Sequence, residues 1–360
     1  MVGPPLKETL MSFGLPALIG LGVIMALVLV LPFSVRWVEE ELEGFLLVMG
    51  CLAVSISRQW TGHLVSEALS EPLKICCAVL LFGFAFRRFR GAIANGVLKL
   101  SAKLGLPVFS FALVVTLGLA SSVVTAIVAA LILVEAVSAL RLDRRTELSL
   151  VILACYSIGL GAALTPIGEP LSTIATARLT GPPHHADFFF LARLLWSWLV
   201  PGMLVLGILA ARQGAGIVTR SGGLSQDASE DVWTVVRRAL KVYVFVAALV
   251  LLGRGLSPLV ERWLVRMPAN ALYWANISSA ALDNATLAAA ELSPRMDIDR
   301  IRAVLIALLV SGGMLIPGNI PNIISAQKLG IKSREWARAA VPLGLVMMTV
   351  YFFALRLVAP

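Results

Sequence analysis

Apolar residues run through this chain in long blocks, and the polar positions fall between the blocks. The blocks cover roughly residues 14–33, 44–57, 72–86, 107–140, 148–179, 188–211, 240–253, 268–291, 302–329 and 339–357. Uninterrupted apolar stretches of about 18 residues or more predict membrane-spanning helices. Two blocks have the wrong length for one crossing. Residues 107–140 hold a single charge, Glu135. As one straight helix they would be about 50 Å long, against a hydrocarbon core of about 30 Å. A re-entrant hairpin, dipping in and returning to the same side, fits better. Residues 268–291, with Asp283 inside them, predict a shorter hairpin of the same kind.

Two further blocks carry the same punctuation. Thr165-Pro166-Ile167-Gly168-Glu169-Pro170 follows one apolar run, and Ile316-Pro317-Gly318-Asn319-Ile320-Pro321 follows another, 151 positions later. Each motif has prolines four apart and a glycine shortly upstream, Gly161 or Gly312. Proline removes a backbone donor and breaks a helix. In hydrocarbon such a break persists only where protein or a wet cavity satisfies the backbone. Paired interrupted helices in the two halves of a chain point to a transporter's binding site.

The basic residues orient these segments. With the N-terminus outside and both odd blocks as hairpins, 18 of the 30 Lys and Arg fall inside. Treating the first odd block, or both, as crossings divides them 15 against 15. The inward bias of Lys and Arg favours the two hairpins. The predicted fold is an all-α polytopic membrane protein with eight crossings and two hairpins. Residues 1–71 supply N-terminal transmembrane helices. Residues 72–212 and 239–360 form inverted repeats, each with a re-entrant hairpin (about 107–140, about 268–291) and a broken transmembrane helix (about 148–179, about 302–329). Residues 213–238 are a cytoplasmic linker, and amphipathic segments at 91–106 and 254–267 are expected along the two interfaces. Residues 14–33 read as a retained first span, too long for a signal-peptide core.

Composition narrows the class. The chain of 360 residues is 59% hydrophobic and 14% charged, with mean hydropathy +0.90. These values exclude an ordinary soluble domain. The net charge of +9 then reads as basic loops facing anionic lipid, with no nucleic acid partner. Cys51, Cys76, Cys77 and Cys155 lie in apolar runs and read as small buried side chains, not as a metal site. No phosphate-binding GxxxxGK[ST], HExxH or GxSxG motif is present, which argues against ATP hydrolysis and against an intramembrane hydrolase.

Candidate chemistry gathers at the hairpins and breaks. The first hairpin carries Ser121, Ser122 and Thr125; the second carries Asp283, Asn284 and Thr286, with Thr125 and Thr286 aligned as equivalents. Helix ends at membrane depth leave carbonyls free, and hydroxyl and amide oxygens beside them suit a hard cation such as sodium. The same Ser and Thr can instead bond back to their own helices. A carboxylate at membrane depth is costly and marks function, so Asp283 is a candidate for sodium–proton exchange. Glu169 in the first break is a second candidate, or alternatively the cap of the following half-helix. Thr165 accompanies it. The second break offers Asn319 and Asn322 instead. The half-helix N-termini there can also face an anion. Glu135 and Glu291 are expected at the interfaces, and His63, His184 and His185 in solvated turns.

Ser279-Ala280-Ala281-Leu282-Asp283-Asn284 and Thr165-Pro166-Ile167-Gly168-Glu169 resemble motifs of the ion-transporter superfamily. The similarity is to a family of predicted cation transporters related to the NhaD-type sodium/proton antiporters, which place an aspartate where Glu169 stands. The resemblance covers residues 36–357. It implies inverted repeats around a midplane site, a homodimer and elevator-type movement. The dicarboxylate branch carries Ser-Asn-Thr at both hairpin tips; here the first tip lacks the Asn, and Asp283 would repel a carboxylate.

The sequence therefore predicts a secondary transporter of the inner membrane and not an enzyme. The expected activity is sodium/proton antiport without a cofactor, the partners being the lipid bilayer and small ions. The alternative is a sodium-coupled symporter of a small organic or inorganic anion.

Overall fold

The computed structural model describes residues 15–35, 37–38, 41–214, 232–263, 267–282 and 284–358. Asp283 and most of the 213–238 linker lie outside the described residues. Helices account for the regular structure, and no strand occurs among the described residues. Among the described residues, five helices are long and apolar enough to cross a membrane. The protein is a multi-pass helical membrane protein. Its outward faces agree with that: Val346, Val350, Phe353 and Leu357 form one exposed apolar stripe that water would disfavour.

Three helices make one layer. They are α1 (Leu15–Ser34), α2 (Leu42–Ile56) and α3 (Gly62–Leu104). The hydroxyl of Thr61 accepts from Leu64 N and caps α3. A later helix, α9 (Val232–Trp263), joins this layer. It runs in the same direction as α2. Lys241 pairs with Glu43, Gly50 abuts Leu251, Gly255 abuts Ala53, and Gln59 donates to Ser257. In α3 the direction is opposite, since Leu64 and Ala68 meet Leu251 while Ile75 and Val79 meet Ala239 and Val242.

The remaining helices form the core unit. In the first half these are α4 (Leu106–Val124), α5 (Ala126–Leu140), α6 (Arg144–Ala162), α7 (Pro170–Arg178) and α8 (Phe190–Gly214). In the second half they are α10 (Ala269–Ala275), continued by a 3-10 turn at Asn276–Ala280, then α11 (Asn284–Glu291), α12 (Ile298–Gly312), a 3-10 turn at Ile316–Gly318, α13 (Ile320–Leu329) and α14 (Ser333–Val358). Asp143 caps α6 by accepting from Thr146 N (3.1 Å), and Asp297 caps α12 by accepting from Arg300 N (2.7 Å). The Thr146 side chain and amide hold the Asp143 carboxyl below its usual range. Both prolines-and-glycine motifs end a helix, as their chemistry predicts.

Some boundaries differ from the sequence expectation. The segments 91–106 and 254–267 were expected as separate interfacial elements. Instead, residues 91–104 continue α3 and residues 254–263 continue α9. Gly96 does not end the first helix and Pro258 does not end the second, so each stretch extends an existing helix. The repeat boundary at 72 falls inside α3, and the linker's last residues, from Val232, are already helical. Of the cysteines only Cys155 is buried; Cys51 and Cys76 are half-buried and Cys77 is exposed.

Candidate functional site

The site is assembled by helix directions. α4 runs beside α6 in the same sense. Ser157 Oγ donates to Val114 O (2.8 Å), Gly161 packs on Gly118, and Thr165 Oγ1 donates to Ser122 O. Val124 is followed by Thr125 at φ 75°, a left-handed conformation unusual for a β-branched residue. Its hydroxyl caps α5 by accepting from Val128 N (3.4 Å). Ala126 N then donates to Gly168 O (2.9 Å), seating the start of α5 on the first break. α5 ends at Leu140, shortly before α6 begins at Arg144.

The second half makes comparable contacts. Arg300 Nη2 donates to Met267 O (3.2 Å), Ser311 Oγ donates to Asn276 O (2.7 Å), and Gly318 packs on Ala280 O. Residues 267–280 thus run beside α12 toward the second break. Equivalent bonds recur: Ser121 Oγ donates to Ile158 O (2.9 Å) and Ser279 Oγ to Leu308 O (3.3 Å). The breaks match as well. Glu169 and Asn319 each begin a half-helix as extended N-cap residues, at φ −157° and −155°. Before them stand Gly168 and Gly318. A Cβ there would lie 2.0 Å from Ala162 O and 2.5 Å from Gly312 O, so only glycine fits. The starts of α5 and α11 lie 158 positions apart, which moves the expected Thr125–Thr286 equivalence by three residues.

The halves also interlock. α5 packs on α13, and α11 packs on α7. The Arg144 guanidinium donates to Gly330 O (3.5 Å) and pairs with Glu335 (2.5 Å), so the starts of α6 and α14 share one end. His184 Nε2 lies 2.8 Å from Met296 O, so the loop after α7 and the loop before α12 share an end too. α6 and α12 therefore run in opposite senses.

The predicted site residues divide by environment. Glu169 (6% exposed), Asn319 (5%), Asn284 (4%) and Asn322 (0%) are all buried. Asn322 Nδ2 donates to Gly312 O and Leu315 O, both 2.9 Å. Its Oδ1 has no hydrogen-bond partner among the described residues, and neither does Asn284 Nδ2. The Asn319 amide lies against Gly159 of α6. Ser172 binds the Glu169 backbone, donating to its carbonyl (2.7 Å). Ser121, Ser122 and Thr165 all donate to backbone carbonyls, joining the first tip to α6 and its break. Thr286 points elsewhere, its hydroxyl against Gly253 of α9. Asp283 lies outside the described residues.

Two glutamates differ from expectation. Glu135 was expected to reach the interface. Its carboxylate instead pairs with Lys328 of α13, with the two side chains 12% and 8% exposed. Glu291 was expected at the outer interface. It is 4% exposed and accepts from Asn276 Nδ2 (3.0 Å). Asn276 and Ser311 are further polar groups at this site that sequence reasoning passed over, and Ser279, which it quoted only within the second-tip motif, joins them. Each is a polar residue inside an apolar block, the same signal that singled out Ser121.

No curated protein matches the chain. Residues 18–358 match the family described as "Protein of unknown function (DUF1646)", and the chain belongs to that family.

Proposed function

We propose that this protein is a secondary transporter that exchanges sodium for protons at a site built from two hairpin tips and two helix breaks. In this reading α4–α5 and residues 267–291 are re-entrant hairpins, entering from opposite sides as parts of inverted repeats. The observation that carries it is the matched pair of breaks. Glu169 and Asn319 occupy equivalent N-cap positions in half-helices of opposite sense, and the second break adds the buried amides of Asn319 and Asn322. A buried carboxylate beside neutral oxygen donors can hold either a proton or a cation, because burial favours the neutral form and a bound cation favours the charged one. Asn322 Oδ1 is a buried acceptor that suits a hard cation. Asp283 would supply a second exchangeable charge from the second tip. Membrane insertion is in the inner membrane, and a homodimer fits the exposed apolar faces.

Asn284 Nδ2, a buried donor without a hydrogen-bond partner, favours the second reading, sodium-coupled symport of an anion. Liposomes decide between them. Purified protein is reconstituted with a pH dye inside, and an outward or inward sodium gradient is imposed. Antiport predicts proton movement opposite to sodium, lost in Asp283→Asn. Sodium-dependent anion uptake with no proton countermovement would overturn the exchange reading.

A further inference from the structure

A cavity of about 220 Å³ lies where α8, α10, α12 and α14 meet, at the end shared by residues 184 and 296. That volume far exceeds the roughly 10–15 Å³ needed for one water. Arg300, Arg302 and Arg356 line it, together with Trp198, Tyr273 and Phe352. Their donors are only partly used. Arg300 gives one nitrogen to Met267 O, while its buried Nε has no acceptor among the described residues. Arg302 pairs with Asp299 and stands 6.0 Å from the Trp198 ring, and its Nε is likewise without an acceptor there. Arg356 lies 4.7 Å from the Phe352 ring. Asp297, the other carboxylate in the lining, caps α12. Among the described residues, three guanidiniums against two carboxylates make the lining positive.

We propose that this cavity binds the phosphate head group of a membrane lipid. Guanidinium forks match phosphate oxygens in paired hydrogen bonds. Aromatic rings with one polar edge suit the lipid–water boundary. The choice of lipid over free phosphate rests on what surrounds the arginines. Leu355 and Val358 of α14 complete the wall, and the apolar stripe of Val346, Val350, Phe353 and Leu357 lies on the same helix. Acyl chains can lie on that stripe while the phosphate enters. The inference needs only that this end of the bundle meets lipid, whichever ion is moved.

The test uses delipidated full-length protein in detergent. It is titrated with phosphatidylglycerol and bound lipid is counted by native mass spectrometry. Inorganic phosphate and diacylglycerol serve as parallel ligands. Wild type is expected to retain one tight phosphatidylglycerol. Arg356→Gln and Arg300→Gln should each weaken it about tenfold, the loss expected for one charge-assisted contact. Arg145→Gln, at the other end of the bundle, should leave it unchanged. Brominated phosphatidylglycerol should quench wild-type fluorescence more than that of Trp198→Phe, a readout that does not depend on the arginine variants folding. Equal retention of diacylglycerol, unchanged affinity in both arginine variants, or equal quenching in Trp198→Phe would overturn the proposal. Displacement by millimolar inorganic phosphate would assign the site to free phosphate and overturn the lipid.

Discussion

At the scale of single residues the account rests on buried charge. Glu169→Gln keeps the size and the N-cap position but deletes the titrating group. It should abolish sodium-driven proton movement in liposomes while the protein still purifies as a monodisperse species. Glu169→Asp should retain exchange with a shifted pH profile, because the exchangeable charge remains. Unaltered exchange in Glu169→Gln would remove this residue from the mechanism. Glu135 belongs to a different class. It was expected at an interface, whereas its partner is Lys328, 193 positions away. Glu135→Gln takes one charge from a nearly buried pair and should lower stability, by up to about 3 kcal/mol. Adding Lys328→Gln should recover part of that loss. Thermal unfolding in detergent measures both, and a silent Glu135→Gln would mean the pair carries no net stability.

At the scale of elements, the breaks depend on two glycines. Gly168→Ala and Gly318→Ala each place a methyl group within 2.0 and 2.5 Å of a backbone carbonyl, which cannot move aside as a side-chain tip can. Each should cost about 1–3 kcal/mol through overpacking. Gly181→Ala, with nothing within 4 Å, should be neutral by the same thermal measurement. These breaks were legible in the sequence because proline and glycine act locally. So were the helices at 15–34 and 42–56, whose apolar blocks end where charge begins. The continuity of α3 past residue 90 was not legible, because an amphipathic stretch reads alike as a separate interfacial helix or as the tail of a span. Nor was the register of the tips. Ser121 and Ser279 became equivalent only through the carbonyls of Ile158 and Leu308 across a helix contact. Thr286 looked like a tip ligand by residue type, but its place on the helix turns it toward Gly253.

At the scale of the whole molecule, the claim is that one plan is used twice, in opposite directions. α5 rests on α13 and α11 on α7, so each half supplies the packing partner for the other's broken helix. Movement of one half against its neighbour would then change both breaks together, which is what alternating access around a fixed site requires. The Glu43–Lys241 pair and the bond from Gln327 to Glu43 tie α13 to the α2–α9 layer at the end near Arg144. Everything in this account depends on the two hairpins opening to opposite sides. Single cysteines at Arg144, Gly181 and Arg295, in an otherwise cysteine-free chain, test that directly by labelling intact and inverted vesicles with an impermeant maleimide. The account predicts that position 144 reacts only from the cytoplasmic side and that positions 181 and 295 react only from outside. Labelling of 144 and 295 from the same side would contradict it.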